Sequence, residues 1–91
     1  RPIFLTLMPI NSRNIRNAFH VDTDPLWQQK LARVNAYIRS QKYYVDLEPY
    51  FYDANHAVMA PELSVDGLHP DIRGKMLMAE IINRRRDLLR Q

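Results

Sequence analysis

Ile3 to Met8 reads Ile-Phe-Leu-Thr-Leu-Met, an apolar run broken by a single hydroxyl, and Pro9 stops it. A short continuous run of this kind, with no polar alternation, suits a strand covered on both faces, as strands of parallel sheets are. Tyr43 to Leu47 (Tyr-Tyr-Val-Asp-Leu) is aromatic and β-branched and reads as a second strand. Between the two, Asp24-Pro25 is a helix start, with Asp able to cap and Pro suited to the first helical position. Trp27, Leu31, Val34 and Ile38 then follow at spacings of 4, 3 and 4. That is one apolar stripe, with Gln28, Arg33, Asn35 and Arg39 off it and an end expected near Ser40. Strand, helix, strand is a βαβ unit, and its crossover makes the strands parallel. Two parallel strands cannot close a sheet, and their edges and faces need neighbours. The chain therefore reads as the second half of an open α/β sheet whose other strands come from elsewhere.

The connecting segments carry their own expectations. Asn11 to Asp22 is polar and irregular and reads as a loop. Glu48 to Val65, with Pro49 and Pro61, is long for a connection inside a compact domain, and such loops are often functional. Pro70 is expected to open the last helix, with Ile72, Met76, Ala79 and Asn83 along one side and Leu77, Ile81 and Leu88 widening the apolar face. No repeat or internal boundary divides the 91 residues, so residues 1–91 belong to one domain.

Composition removes several classes of function. The chain has no cysteine, hence no disulfide framework and no thiolate chemistry. The net charge of +3 invites a nucleic-acid reading. The excess, however, sits in Arg84, Arg85, Arg86 and Arg90, at a helix end where cations complement the dipole. No nucleic-acid reading motif accompanies them, so no nucleic-acid partner is expected. No apolar run approaches the roughly 20 residues that span a bilayer, so no membrane span is expected. The chain opens on Arg1-Pro2 rather than Met, which reads as a start inside a larger product.

The chemistry centres on Asp66-Gly67-Leu68-His69-Pro70. In a hydrolytic triad a carboxylate accepts the Nδ1 hydrogen of histidine, sets its tautomer and stabilises the imidazolium. The histidine then takes a proton from a nucleophilic hydroxyl and returns it to the leaving group. Asp and His three apart, with Gly between them and a helix start after them, can meet in one tight loop. The same residues also suit a simple Asp-Gly turn with a surface histidine. Elsewhere, Ser12, Ser40 and Ser64 lack a nucleophile's context, and Ser64 lies awkwardly close to Asp66. His20 and His56 lack metal-ligand spacing and read as surface residues. Asn11 and Arg13 follow the first strand and suit capping or solvation more than substrate contact. Trp27 reads as core, and Tyr50 and Tyr52 suit either a pocket mouth or packing.

Val65-Asp66-Gly67-Leu68-His69-Pro70, with Gly74 and an apolar helix after it, resembles the last sequence block of SGNH (GDSL-like) ester hydrolases. The resemblance extends upstream through an apolar strand ending at Pro9, a helix rich in Asn and Arg, and Tyr-Val-Asp-Leu before a loop. It implies the C-terminal portion of a three-layer α/β/α flavodoxin-like fold with parallel strands. It also implies that Asp66 and His69 are catalytic, that no metal or organic cofactor is used, and that the substrate is a carbohydrate acetyl ester or a small lipid ester. The family's nucleophile lies in a Gly-Asp-Ser motif, and its other oxyanion donors are a Gly and an Asn in later blocks. None of these is present here, so the resemblance places the serine upstream of Arg1, in a missing N-terminal half or another chain that completes the sheet. The rival expectation is a non-catalytic α/β interaction module, or a pseudo-enzyme fragment, docking on a partner chain.

Overall fold

In the computed structural model, which describes residues 2–89, the chain is a mixed helical structure built on a two-stranded parallel sheet. Strand β1 (Phe4–Leu5) pairs with β2 (Tyr44–Val45) in parallel register, Phe4 opposite Tyr44 and Leu5 opposite Val45. The regular ladder is shorter than the apolar runs, although Thr6 continues it by donating its N–H to Val45 at 3.1 Å. Among the described residues β1 has no strand on its other edge. A two-stranded sheet alone is marginal in water, so packing has to hold it.

Helix α1 (Ser12–Phe19) occupies the segment expected to be a loop. Its composition is polar and only Ile15 is buried, so no apolar stripe announces it. Its ends hold it instead. The Asn11 side chain accepts the Asn14 N–H at the start, and His20 closes the end in a left-handed conformation, φ 59°. An Asn cap of this kind contributes about 1 kcal/mol.

Helix α2 (Trp27–Arg39) connects the strands and ends at Ser40 as expected. It starts two residues later than Asp24-Pro25 suggested, because Asp24 accepts the Leu26 N–H and organises a turn ahead of the helix. Ile38 is buried but Val34, on the expected stripe, is exposed, while Asn35, expected off the stripe, is fully buried. Asn35 does what a neighbouring strand would do. Its Oδ1 accepts the Leu7 N–H at 2.7 Å, and its Nδ2 donates to the Leu7 carbonyl at 2.9 Å and to Glu48 Oε1 at 2.8 Å. The end of β1 is thus satisfied by a side chain.

Around it lies a half-buried polar cluster. Arg39 grips Asp46 with two nitrogens and reaches Glu48 at 2.9 Å. Thr6 Oγ1 donates to Asp46 and accepts the N–H groups of Leu47 and Glu48. Burial works against the charge on Glu48, but hydrogen bonds from Tyr52, Asn35 and Arg39 outweigh it and hold its carboxyl below the usual range.

The segment between β2 and the last helices is compact. A 3-10 turn (Glu48–Tyr50) follows β2, and an antiparallel bridge joins Tyr52 to Met59. Val45, Leu47, Phe51 and Met59 meet Ile81 and Leu88 in the main core. Helix α3 (Ile72–Arg84) carries Ile81, and α4 (Arg86–Leu89) carries Leu88. Pro70 does not open α3. Asp71 caps it by accepting the Gly74 N–H. Gly74 is required there, since a Cβ would stand 2.5 Å from the Leu63 carbonyl oxygen. Of the apolar face expected here, Ile81 is buried, Leu77 packs against the core and Leu88 joins it from α4, but Ile72 is 77% and Met76 67% exposed. Arg84 pairs with Glu80 and Arg85 with Asp87, and Arg84 stands in the last turn of α3, where a cation complements the helix dipole. Arg1 and Arg90, used in the readings of the chain start and of the basic tail, lie outside the described residues.

Candidate active site

Ser64 to Pro70 forms a loop just ahead of α3, and the chain folds there for reasons visible in its residues. Gly67 takes a left-handed conformation, φ 84°, which side-chain-bearing residues rarely adopt. A Cβ at this position would lie 2.4 Å from the Asn11 carbonyl oxygen, so glycine is needed for space as well as for conformation. The Gly67 carbonyl accepts the Asn11 N–H at 2.9 Å. The loop is thereby fixed to the start of α1.

Asp66 and His69 meet in this loop. Asp66 Oδ2 lies 2.9 Å from His69 Nδ1. Asp66 Oδ1 accepts the backbone N–H groups of Leu68 at 2.8 Å and His69 at 2.7 Å. The carboxylate therefore holds both the backbone and the ring of His69. The ring hydrogen bond, then the two backbone N–H groups, keep the Asp66 carboxyl far below the usual carboxylate range. An ionised carboxylate only accepts hydrogen bonds. His69 Nδ1 must then carry the hydrogen, and in the neutral ring the lone pair falls on Nε2. That is the tautomer of a general base. The His69 side chain is 70% exposed, and the Phe19 ring stands edge-on to it with centroids 6.3 Å apart.

Ser64 has a part that sequence reasoning did not assign. It is fully buried, accepts the Gly67 N–H at 3.0 Å, and donates to the His69 carbonyl at 2.7 Å, with Asp66 Oδ1 at 3.2 Å. It clamps the loop and has no access to substrate. Ser40 ends α2 and donates to the Tyr37 carbonyl, and Ser12 opens α1. No serine hydroxyl of the described residues is hydrogen-bonded to the His69 ring.

The remaining candidates are placed elsewhere. Asn11 is buried, and its side chain caps α1 and donates to the Met59 carbonyl, so the capping reading holds. His20 ends α1, and His56 stacks on Tyr52 with centroids 4.3 Å apart. The Tyr52 hydroxyl donates to Glu48, and burial followed by that acceptor pushes it above its ordinary value. Tyr50 is exposed. Trp27 is half-buried rather than core and lines an apolar groove together with Leu7, Leu31, Val34 and Leu68. Among the described residues no three His, Asp or Glu side chains gather as metal ligands would. No helix of the described residues is long and apolar enough to cross a membrane.

The Ser64–Gly67 spacing offers a signal for the clamp, since a serine two residues before an Asp-Gly turn is placed to fold back over it. Nothing in the sequence signals the Phe19 contact, which depends on where α1 ends. No protein-family model, curated protein or solved structure matches this chain.

Proposed function

We propose that this chain carries the Asp–His half of the catalytic triad of a serine-dependent ester hydrolase, on the C-terminal portion of an SGNH-type three-layer α/β/α domain. The observation that carries the reading is the ring hydrogen bond from His69 Nδ1 to Asp66 at 2.9 Å, made by a carboxylate already pinned by two backbone N–H groups. A merely capping aspartate has no need to hold the ring as well. The outer edge of β1, which no strand of the described residues pairs and which Asn35 meets at its end, and the outward residues of α3 suit a sheet and helix layer completed by further chain.

In the reaction, His69 Nε2 takes the proton of a serine Oγ supplied by that further chain while Oγ bonds to the ester carbonyl carbon. The carbonyl π electrons move to oxygen. Collapse of this intermediate expels the alkoxide, which regains the proton from His69 and leaves as alcohol. Water repeats the cycle on the acyl-enzyme. Asp66 stabilises the imidazolium each time it forms. A carbohydrate acetyl ester and a small lipid ester both fit this chemistry.

The test is covalent labelling of the native protein with a fluorophosphonate. A serine outside Ser12, Ser40 and Ser64 should be modified, and His69→Ala should slow the reaction at least a hundredfold. Labelling on one of those three serines, or at a rate indifferent to His69, would refute the proposal. The same strandless edge and outward apolar residues also suit a docking module without catalysis. That reading expects no labelling at all.

A further inference from the structure

Hydrogen bonds leave the His69 ring one freedom. Ser64 and Asp66 fix its backbone, and Asp66 Oδ2 fixes Nδ1 at 2.9 Å. A bond to one corner of a ring does not set the plane of the ring. The imidazole can still rock about that corner and carry Nε2 through an arc, and a side chain 70% exposed has little close packing to stop it. A general base works only within hydrogen-bond reach of the proton it takes. A misplacement of about 1 Å can cost roughly a hundredfold in rate.

Among the described residues one other ring meets the imidazole. Phe19 stands edge-on to it, with centroids 6.3 Å apart and planes at 70°. Aromatic pairs at about 4.5–7 Å attract in this arrangement and favour one angle between their planes. The contact therefore restrains the motion that Asp66 leaves open. Phe19 reaches this place through the build of α1 rather than through the core. It is the last residue of a polar helix, and it is 44% exposed. Both ends of that helix are fixed. The His69 loop lies directly on its first turns, since a Cβ on Gly67 would stand 3.0 Å from the Asn14 Cβ and from the Ile15 nitrogen, and the Gly67 carbonyl accepts the Asn11 N–H. At the far end His20 donates its N–H to the Arg16 carbonyl at 2.9 Å, and Asp22 pairs with Arg16. The helix and the loop thus present Phe19 and His69 to each other as parts of one unit.

We infer that Phe19 is a positioning residue of the candidate site, holding the plane of the His69 ring so that Nε2 keeps a fixed direction. It acts through His69 and touches no reacting atom. Its effect on turnover rests on the hydrolase reading; its effect on the ring does not.

The experiment uses the native protein and reads the ring and the reaction separately. Phe19→Leu keeps an apolar side chain and removes the aromatic edge, and Phe19→Tyr restores the edge. Phe19 is partly exposed, so both variants should keep the fold, checked by circular dichroism. Carbon NMR relaxation of the His69 ring should show greater mobility in Phe19→Leu and native mobility in Phe19→Tyr. On the best ester, kcat should fall on the order of tenfold in Phe19→Leu with KM within about twofold, and Phe19→Tyr should recover it. Val21→Ala, two residues further on and also exposed, should change neither readout.

A His69 ring as rigid in Phe19→Leu as in the native protein overturns the inference. So does a rise in KM alone, which would make Phe19 a substrate contact, and so does an equal loosening in Val21→Ala, which would make the effect one of the helix end. A native protein that turns over no ester, yet whose His69 ring loosens in Phe19→Leu and tightens in Phe19→Tyr, would sink the hydrolase reading and uphold the positioning contact.

Discussion

The chain holds two Asp-x-x-His segments, and they fold differently. In Asp66-Gly67-Leu68-His69 the carboxylate takes the ring and the backbone of its histidine. In Asp53-Ala54-Asn55-His56 the carboxylate passes over the histidine and accepts from Ala57 at 2.9 Å and Val58 at 3.3 Å, while the ring stacks on Tyr52. The left-handed residue sits at a different place in each. It is Gly67, directly after Asp66, in the first and His56 itself, φ 57°, in the second. A bend at the second residue brings the fourth back onto the carboxylate; a bend at the histidine turns its ring elsewhere. Pro70 adds to this, because a residue before proline is held towards extended backbone, whereas His56 precedes Ala57 and is free of that restriction. Spacing alone makes no dyad. The position of the bend does.

The largest expected effect separates the two aspartates. On the proposed hydrolase reading, Asp66→Asn in the native protein presents the imidazole in the wrong tautomer and should lower kcat by up to about 10⁴-fold. Asp53→Asn should keep turnover within about twofold, since it weakens only a local turn. Steady-state kinetics on the best ester decides the matter. Equal losses, or equal retention, would erase the distinction between the loops.

Gly67→Ala attacks the bend. The left-handed backbone costs a side-chain-bearing residue roughly 1–2 kcal/mol, and the overlap with the Asn11 carbonyl adds to it. Denaturant unfolding should show a loss of about 2 kcal/mol or more. Ala54→Gly, at the matching position of the other segment, should cost less than about 1 kcal/mol. A fully stable Gly67→Ala protein would mean that the bend does not set the loop.

Ser64→Ala tests the clamp that only the first loop possesses. It leaves the Gly67 N–H and the His69 carbonyl without their partner, each worth about 1–3 kcal/mol if no water enters. We expect about 1–2 kcal/mol lost on unfolding and at most about a tenfold fall in kcat, because Asp66 still holds the ring. A collapse of activity matching Asp66→Asn would give Ser64 a chemical part that its burial denies.

These contrasts also show what could be read from residues alone. The two strands were legible because both are contiguous apolar runs, and the Asp66–His69 contact was legible because glycine and proline bracket the loop. Helix α1 was not legible: its stability rests on Asn11 and a left-handed His20, and caps leave no periodicity. Nor was Asn35, a polar residue buried because the Leu7 backbone needs a partner. Helix α3 carries apolar residues on two faces, and periodicity cannot choose which one turns in. Ile81 and Leu88 turn in as the sequence suggested, whereas Ile72 and Met76, read as part of the same apolar side, face outward. The finer fold, a flavodoxin-like sheet, rests on the resemblance and on the chain that would complete it.

The gentlest test reads the two carboxyl groups directly by carbon NMR titration. Both are held below the usual carboxylate range, Asp66 first by the His69 ring and Asp53 first by the Ala57 N–H. A carboxyl with a lowered folded pKa contributes stability that is complete above its unfolded value near 4. The contribution fades as pH falls from there through the folded pKa. The Asp66 loop should therefore be intact at pH 5 and loosen only in strongly acidic solution. Removing each histidine then separates the causes. His69→Ala should move the Asp66 titration upward towards the ordinary range, because its leading stabiliser is gone. His56→Ala should leave Asp53 where it is, since the Ala57 N–H remains. If Asp66 fails to move in His69→Ala, its carboxylate is held by the backbone alone, and the ring contact on which the hydrolase proposal stands does not exist in solution.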